Sequence, residues 1–150
     1  RLQHQPPDPA THLVMKPRAA WPVLVKKAKE NSDKAQAELV KARERHKSLL
    51  ASRARLQGLY DSYLQKCREA EQTLQSISVS QSYRAFITQL QELMTREDND
   101  INTARLTLQD KQYRFQAAEK KRLQMQTLMD KETLVLMRSL IYLPYSFNLD

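Results

Sequence analysis

A chain of 150 residues with a single glycine, Gly58, and a single cysteine, Cys67, has little with which to build sharp loops and no thiol pair to bridge. Catalytic sites and phosphate cradles lean on such loops, and a disulfide framework or cysteine-rich zinc site is excluded, so the expected setting is a reducing cytoplasm and the expected cofactor content is none. The formal charge of +8 sits in the first half: residues 1–75 hold 15 Lys and Arg against 8 Asp and Glu, residues 76–150 hold 10 against 9, which makes an acidic protein surface, anionic lipid or nucleic acid the candidate partners.

Residues 1–20 contain Pro6, Pro7, Pro9 and Pro17, which remove amide donors and disfavour helix in the residue before each, so this segment is expected to be disordered. It lacks the apolar core of a signal peptide, and Met15 is a candidate natural start.

From Trp21 the helix formers Lys, Arg, Gln, Glu, Leu and Ala take over. Apolar or small residues recur every seven positions as Trp21, Ala28, Ala35, Ala42, Leu49, Leu56, Tyr63, Ala70 and Ile77. A companion series reads Val25, Ser32, Leu39, His46, Arg53, Tyr60, Cys67 and Leu74, apolar at its ends and polar in the middle. Ser76 to Ser82 then interleaves serines with β-branched residues and is read as a hairpin turn. A second helix follows with Ile87, Met94, Ile101, Leu108, Phe115, Arg122, Met129 and Leu136, accompanied by Leu90, Glu97, Ala104, Lys111, Ala118, Met125 and Glu132. Two matched seams joined by a short turn fold back on each other. The expected fold is therefore all-α, a long antiparallel two-helix coiled-coil hairpin over residues 21–138, with arms of roughly 80 Å that supercoil left-handedly. Ala28, Ala35 and Ala42 are expected to face Phe115, Met125 and Met129, and Tyr60 and Tyr63 to lie near Phe86 and Leu90.

Residues 139–150 are read as a C-terminal tail whose apolar run Leu140 to Leu143 precedes Pro144 and packs on the open end, binds a partner or touches a membrane surface. No stretch approaches the roughly 20 apolar residues that span a bilayer, so direct membrane insertion is not expected. Gly58 marks a bend or a close contact within the first helix.

Chemistry is sparse along this pattern. His46 is a polar residue tolerated in the seam, Cys67 is a small core hydrophobe, and Glu97-Asp98-Asn99-Asp100 fans around a helix as a solvated patch instead of pairing two carboxylates. Nucleic-acid binding is not expected, because the basic residues alternate with Glu and Ala and no aromatics are spaced to stack bases.

The segments flanking the turn are the most distinctive: Leu56-Gln-Gly-Leu59-Tyr60-Asp-Ser-Tyr63 before it and Tyr83-Arg-Ala-Phe86-Ile87-Thr-Gln-Leu90 after it. They resemble the hairpin tip of the FliJ family, coiled-coil proteins of the bacterial flagellar type III export apparatus, with distant counterparts in injectisome secretion. The resemblance runs from about Trp21 to Leu134. It implies a rod similar to the central stalk of rotary ATPases, without catalysis of its own, located in the cytoplasm at the basal body. The implied partners are a hexameric FliI-like export ATPase, an FlhA-like gate protein and export chaperones. Carried onto this sequence, the gate and chaperone surface comprises Ser52, Leu56, Leu59, Tyr63, Phe86, Leu90, Leu93 and Glu97. The ring-facing surface falls by position at Lys26, Lys27, Lys29 and Lys34. The tip aromatics equally suit a second reading, in which they fill the seam beside the turn. A scaffold coiled coil and an injectisome stalk protein are the alternative functions.

Overall fold

The computed structural model describes residues 20–73 and 77–146, the side chains of the latter through Ile141. They form α1, Ala20–Gln72, and α2, Ile77–Ser146, packed against each other as an all-α antiparallel hairpin. Contacts divide the chain into unit 1, Arg1–Ala35 with Arg114–Asp150, and unit 2, Gln36–Tyr113.

Helix α1 starts on Ala20-Trp21-Pro22, and Pro22 is harmless there because first-turn amides have no acceptor within the helix. The helix ends without glycine: both the amide and the hydroxyl of Thr73 donate to the Glu69 carbonyl, at 3.0 and 2.9 Å. Helix α2 begins at Ile77, five positions after α1 ends at Gln72. This corrects the turn expected at 76–82. Ser78, Ser80 and Ser82 are absorbed into the helix, where Ser82 donates to the Ser78 carbonyl at 2.9 Å, a local bond that lets a hydroxyl residue sit in a helix interior. Ile77, counted into the first seam, is 76% exposed, because the heptad phase restarts in the second helix.

At its far end α2 continues through Ser146, past Pro144, so residues 139–146 are helix and not a separate tail. The expected disorder of residues 1–20 falls outside the described residues except at Ala20, the first residue of α1. The fate of 147–150 likewise lies outside them.

In unit 1, Ala28 and Ser32 of α1 are buried, and Phe115, Ala118, Arg122, Met125 and Met129 of α2 are half-buried. Ser32 is 3% exposed and donates to Glu119 Oε2 at 2.6 Å, so the polar seam position is satisfied from the opposite helix. Arg122 holds the same carboxylate through its Nε at 3.0 Å. The Arg122 bond and then the Ser32 bond pull the Glu119 pKa from 4.5 to about 2.

In unit 2, Lys111 reaches Glu38 at 3.1 Å, Arg53 reaches Asp98 at 2.8 Å, the Gln91 amide donates to the Tyr60 hydroxyl at 3.3 Å, and Arg84 pairs with Glu71. Partner numbers fall on α2 as they rise on α1, which is the antiparallel register. Leu39, Cys67, Ala70, Ile87, Leu90, Met94 and Ala104 form the buried core. Ala42 lies with Arg45, Asp100, Thr103, Ala104 and Thr107 around a notch of about 110 Å³. Gly58 makes no close contact: its φ is not positive, and a Cβ there would meet nothing within 4 Å.

Candidate partner-binding surfaces

The tip residues form a stripe on each helix of unit 2. Ser52, Leu56, Leu59 and Tyr63 repeat at steps of four, three and four, as do Phe86, Leu90, Leu93 and Glu97, so each set shares one helix face. Their exposures separate them. Leu59 and Leu93 are 40% and 46% exposed, Ser52, Leu56, Tyr63, Phe86 and Glu97 are half-buried, and Leu90 is 2% exposed. Leu90 is therefore a core residue and no contact surface, since both helices cover it.

Tyr63 organises this end. Its ring lies 4.5 Å from that of Phe86 and 6.0 Å from that of Tyr83, edge-on in the second case, and the Lys66 ammonium sits 4.8 Å above it. The aromatics thus fill the seam and also keep accessible edges.

Heptad geometry gives unit 2 two unlike edges. Residues that immediately precede a seam position, Leu59 on α1 and Phe86 and Leu93 on α2, line one edge. The other carries a bonded set, Arg53 to Asp98 and Tyr60 with Gln91 across the pair and Arg53 to Gln57 and Gln57 to Asp61, each at 3.0 Å, along α1, with Leu50, one heptad before Gln57, 47% exposed beside it. Between Arg53 and Asp61 the polar groups of this edge already satisfy one another. The edge of Leu59 and Leu93 has apolar surface to bury and no internal bond to break.

Lys26, Lys27, Lys29 and Lys34 are all exposed in unit 1. Lys27 and Lys34, seven apart, share a helix face, while Lys26 and Lys29 continue around the outer surface. They form a broad charged sector and not a compact cradle.

The remaining titratable candidates stay structural. His46 is half-buried at its seam position, and Cys67 is a buried free thiol with its Sγ 3.8 Å from Glu71 Oε1. The acidic run separates as expected for a helix: Glu97 turns toward the seam, Asp98 takes Arg53, and Asp100 borders the notch. Among the described residues no group of three or more His, Cys, Asp or Glu is placed to hold a metal ion, and no helix is long and apolar enough to cross a membrane.

Sequence reasoning missed two features. The Ser32–Glu119–Arg122 cluster escaped because Glu119 lies one residue off the seam. The last described turns of α2 were expected to pack on the open end as one option, yet Leu134, Val135, Met137, Leu140 and Ile141 are each more than half exposed.

The fold and these surfaces define a coiled-coil hairpin protein whose distinctive chemistry is side-chain surface presented along helix edges. The family model described as Flagellar FliJ protein matches residues 22–138, and the chain belongs to that family. Among curated proteins and among solved structures, none matches the chain.

Proposed function

We propose that this chain is a non-enzymatic stalk and escort protein of bacterial flagellar type III export, acting in the cytoplasm at the basal body. Its unpaired apolar edge at Leu59 and Leu93, framing the Tyr63–Phe86 contact, is the docking surface for the FlhA-like gate protein and for export chaperones. The lysine sector at Lys26, Lys27, Lys29 and Lys34 faces acidic loops of a hexameric FliI-like ATPase, where long-range attraction speeds encounter more than it fixes orientation. The single observation that carries the reading is the contrast between edges beside the Tyr63–Phe86 contact: one is occupied by the Arg53–Asp98 and Tyr60–Gln91 bonds, and the other exposes Leu59 and Leu93. No cofactor enters the mechanism, which works by binding alone.

The test uses the exposed leucines, because Tyr63 and Phe86 also hold the helices together. The chain and its Leu59→Glu/Leu93→Glu variant are used to capture proteins from a flagellated bacterium, followed by mass spectrometry. Recovery of the ATPase by both and of the gate protein by the unaltered chain only is expected. Equal recovery of the gate by both would remove the edge from the account. Recovery of neither partner, with sedimentation as a dimer, would favour the scaffold reading.

A further inference from the structure

Leu59 and Leu93 each precede a seam position, and the seven-residue repeat brings the same edge of unit 2 back at Ser52 and Arg45 on α1 and at Asp100 and Thr107 on α2. The Arg53–Asp98 and Tyr60–Gln91 bonds set the register, so Leu59 is level with about Leu93, Ser52 with about Asp100, and Arg45 with about Thr107. The notch lined by Ala42, Arg45, Asp100, Thr103, Ala104 and Thr107 therefore opens on the leucine edge. It lies two heptads from the leucine pair, roughly 21 Å at 1.5 Å per residue.

A cavity of roughly 150 Å³ holds a benzene ring, so a notch of about 110 Å³ suits one aliphatic side chain. Arg45 and Asp100 on its rim are exposed, and neither forms a hydrogen bond or ion pair among the described residues, whereas Arg53 and Asp98 on the opposite edge hold each other. Paired helices offer no free backbone donors or acceptors along their length, so an added strand has nothing to pair with, and a partner must seat side chains between side chains. A helix does this. Its residues fourteen apart return to one face under the heptad twist and span the same distance as the leucine pair and the notch.

We propose, resting on the use of the Leu59–Leu93 edge for docking, that the notch is the second anchor of that edge and that the partner presents an amphipathic α-helix of at least about 15 residues. One apolar residue of the helix packs on Leu59 and Leu93, and another, fourteen positions along, enters the notch. A carboxylate toward Arg45 and a cation toward Asp100 flank the second anchor and fix the direction in which the helix lies.

The experiment titrates the purified cytoplasmic domain of the gate protein against the full chain, against Leu59→Glu/Leu93→Glu, and against two variants that fill the notch from opposite helices, Ala42→Met and Thr107→Met. Each filled variant should bind on the order of 10-fold more weakly, the loss of one buried aliphatic anchor. Its Tm should be no lower than the parent's, because the added side chain grows into open space. In the complex with the parent, amide exchange of the gate domain should slow over one continuous helix of the stated length. Weak binding by the leucine variant with parental binding by both filled variants would overturn the notch and leave the edge standing. Undiminished binding by the leucine variant, or none by the parent, would overturn edge and notch together. Protection confined to a loop or strand of the gate domain would overturn the helix. Weak binding that accompanies a lowered Tm in both filled variants would make the notch structural, and dimerisation of the chain that both variants abolish would assign it to a second copy; either result overturns the proposal.

Discussion

Leu90 and Leu93 stand three residues apart on α2, and alanine at each should separate what holds unit 2 together from what it offers a partner. Leu90 is 2% exposed, so Leu90→Ala forfeits the transfer free energy of a full side chain and leaves a void between two helices that cannot close completely. A cost of about 3 kcal/mol is expected from the 2–5 kcal/mol range for buried leucines. For a chain of this size each kcal/mol lowers Tm by about 2–4 °C, which places the shift at about 6–12 °C. Leu93 is 46% exposed, so roughly half its surface is already in water, and Leu93→Ala should cost about 1 kcal/mol or less. Thermal melts followed by far-ultraviolet circular dichroism compare the two, and binding to the purified cytoplasmic domain of the gate protein is measured alongside. Leu90→Ala should melt early yet bind normally well below its Tm. Leu93→Ala should melt near the parent and bind weakly. Equal melting shifts, or weak binding confined to Leu90→Ala, would refute the division of the stripe into core and surface.

Three further outcomes are expected. Gly58→Ala should stabilise the chain by about 1 kcal/mol, since the site is helical, exposed and free of neighbours within 4 Å, and a lowered Tm would contradict that description. The Glu119 carboxyl is lowered from 4.5 to about 2 in the folded chain, so its contribution is present above the unfolded value and is lost as pH falls from 4.5 toward 2. Melts of the parent and Glu119→Gln should therefore converge across that window, and a constant gap would argue against the Arg122 and Ser32 bonds as the cause. Lys26→Glu/Lys27→Glu/Lys29→Glu should weaken stimulation of the export ATPase most strongly at low salt with helicity intact, and unchanged stimulation would remove the lysine sector from the proposed ring contact.

The seams were legible because seven-residue spacing survives interruption by polar residues. Positions from Trp21 to Ala70 on α1 and from Ile87 to Leu136 on α2 are buried or half-buried as the spacing requires, His46, Arg53 and Lys111 included. Local propensity misled at the reversal: serines and β-branched residues favour turns in isolation, but Ser82 satisfies its hydroxyl on the Ser78 carbonyl, and helix pairing overrides the preference. The tip stripe was visible as spacing, while its split into buried Leu90 and exposed Leu59 and Leu93 depends on how far each side chain lies from the helix–helix axis, which a heptad count gives only coarsely. The notch at Ala42 and the Glu119 cluster depend on which residue faces which across the pair, and register is set by the sum of all the contacts.

The most direct test of the account is amide hydrogen exchange along the full chain, alone, with the hexameric export ATPase, and with the cytoplasmic domain of the gate protein. Slowed exchange around residues 26–34 with the ATPase, and around 52–63 and 86–97 with the gate protein, is the predicted result. Protection by the gate protein confined to residues outside 52–63 and 86–97, or by neither partner anywhere, would contradict the assignment of the two surfaces.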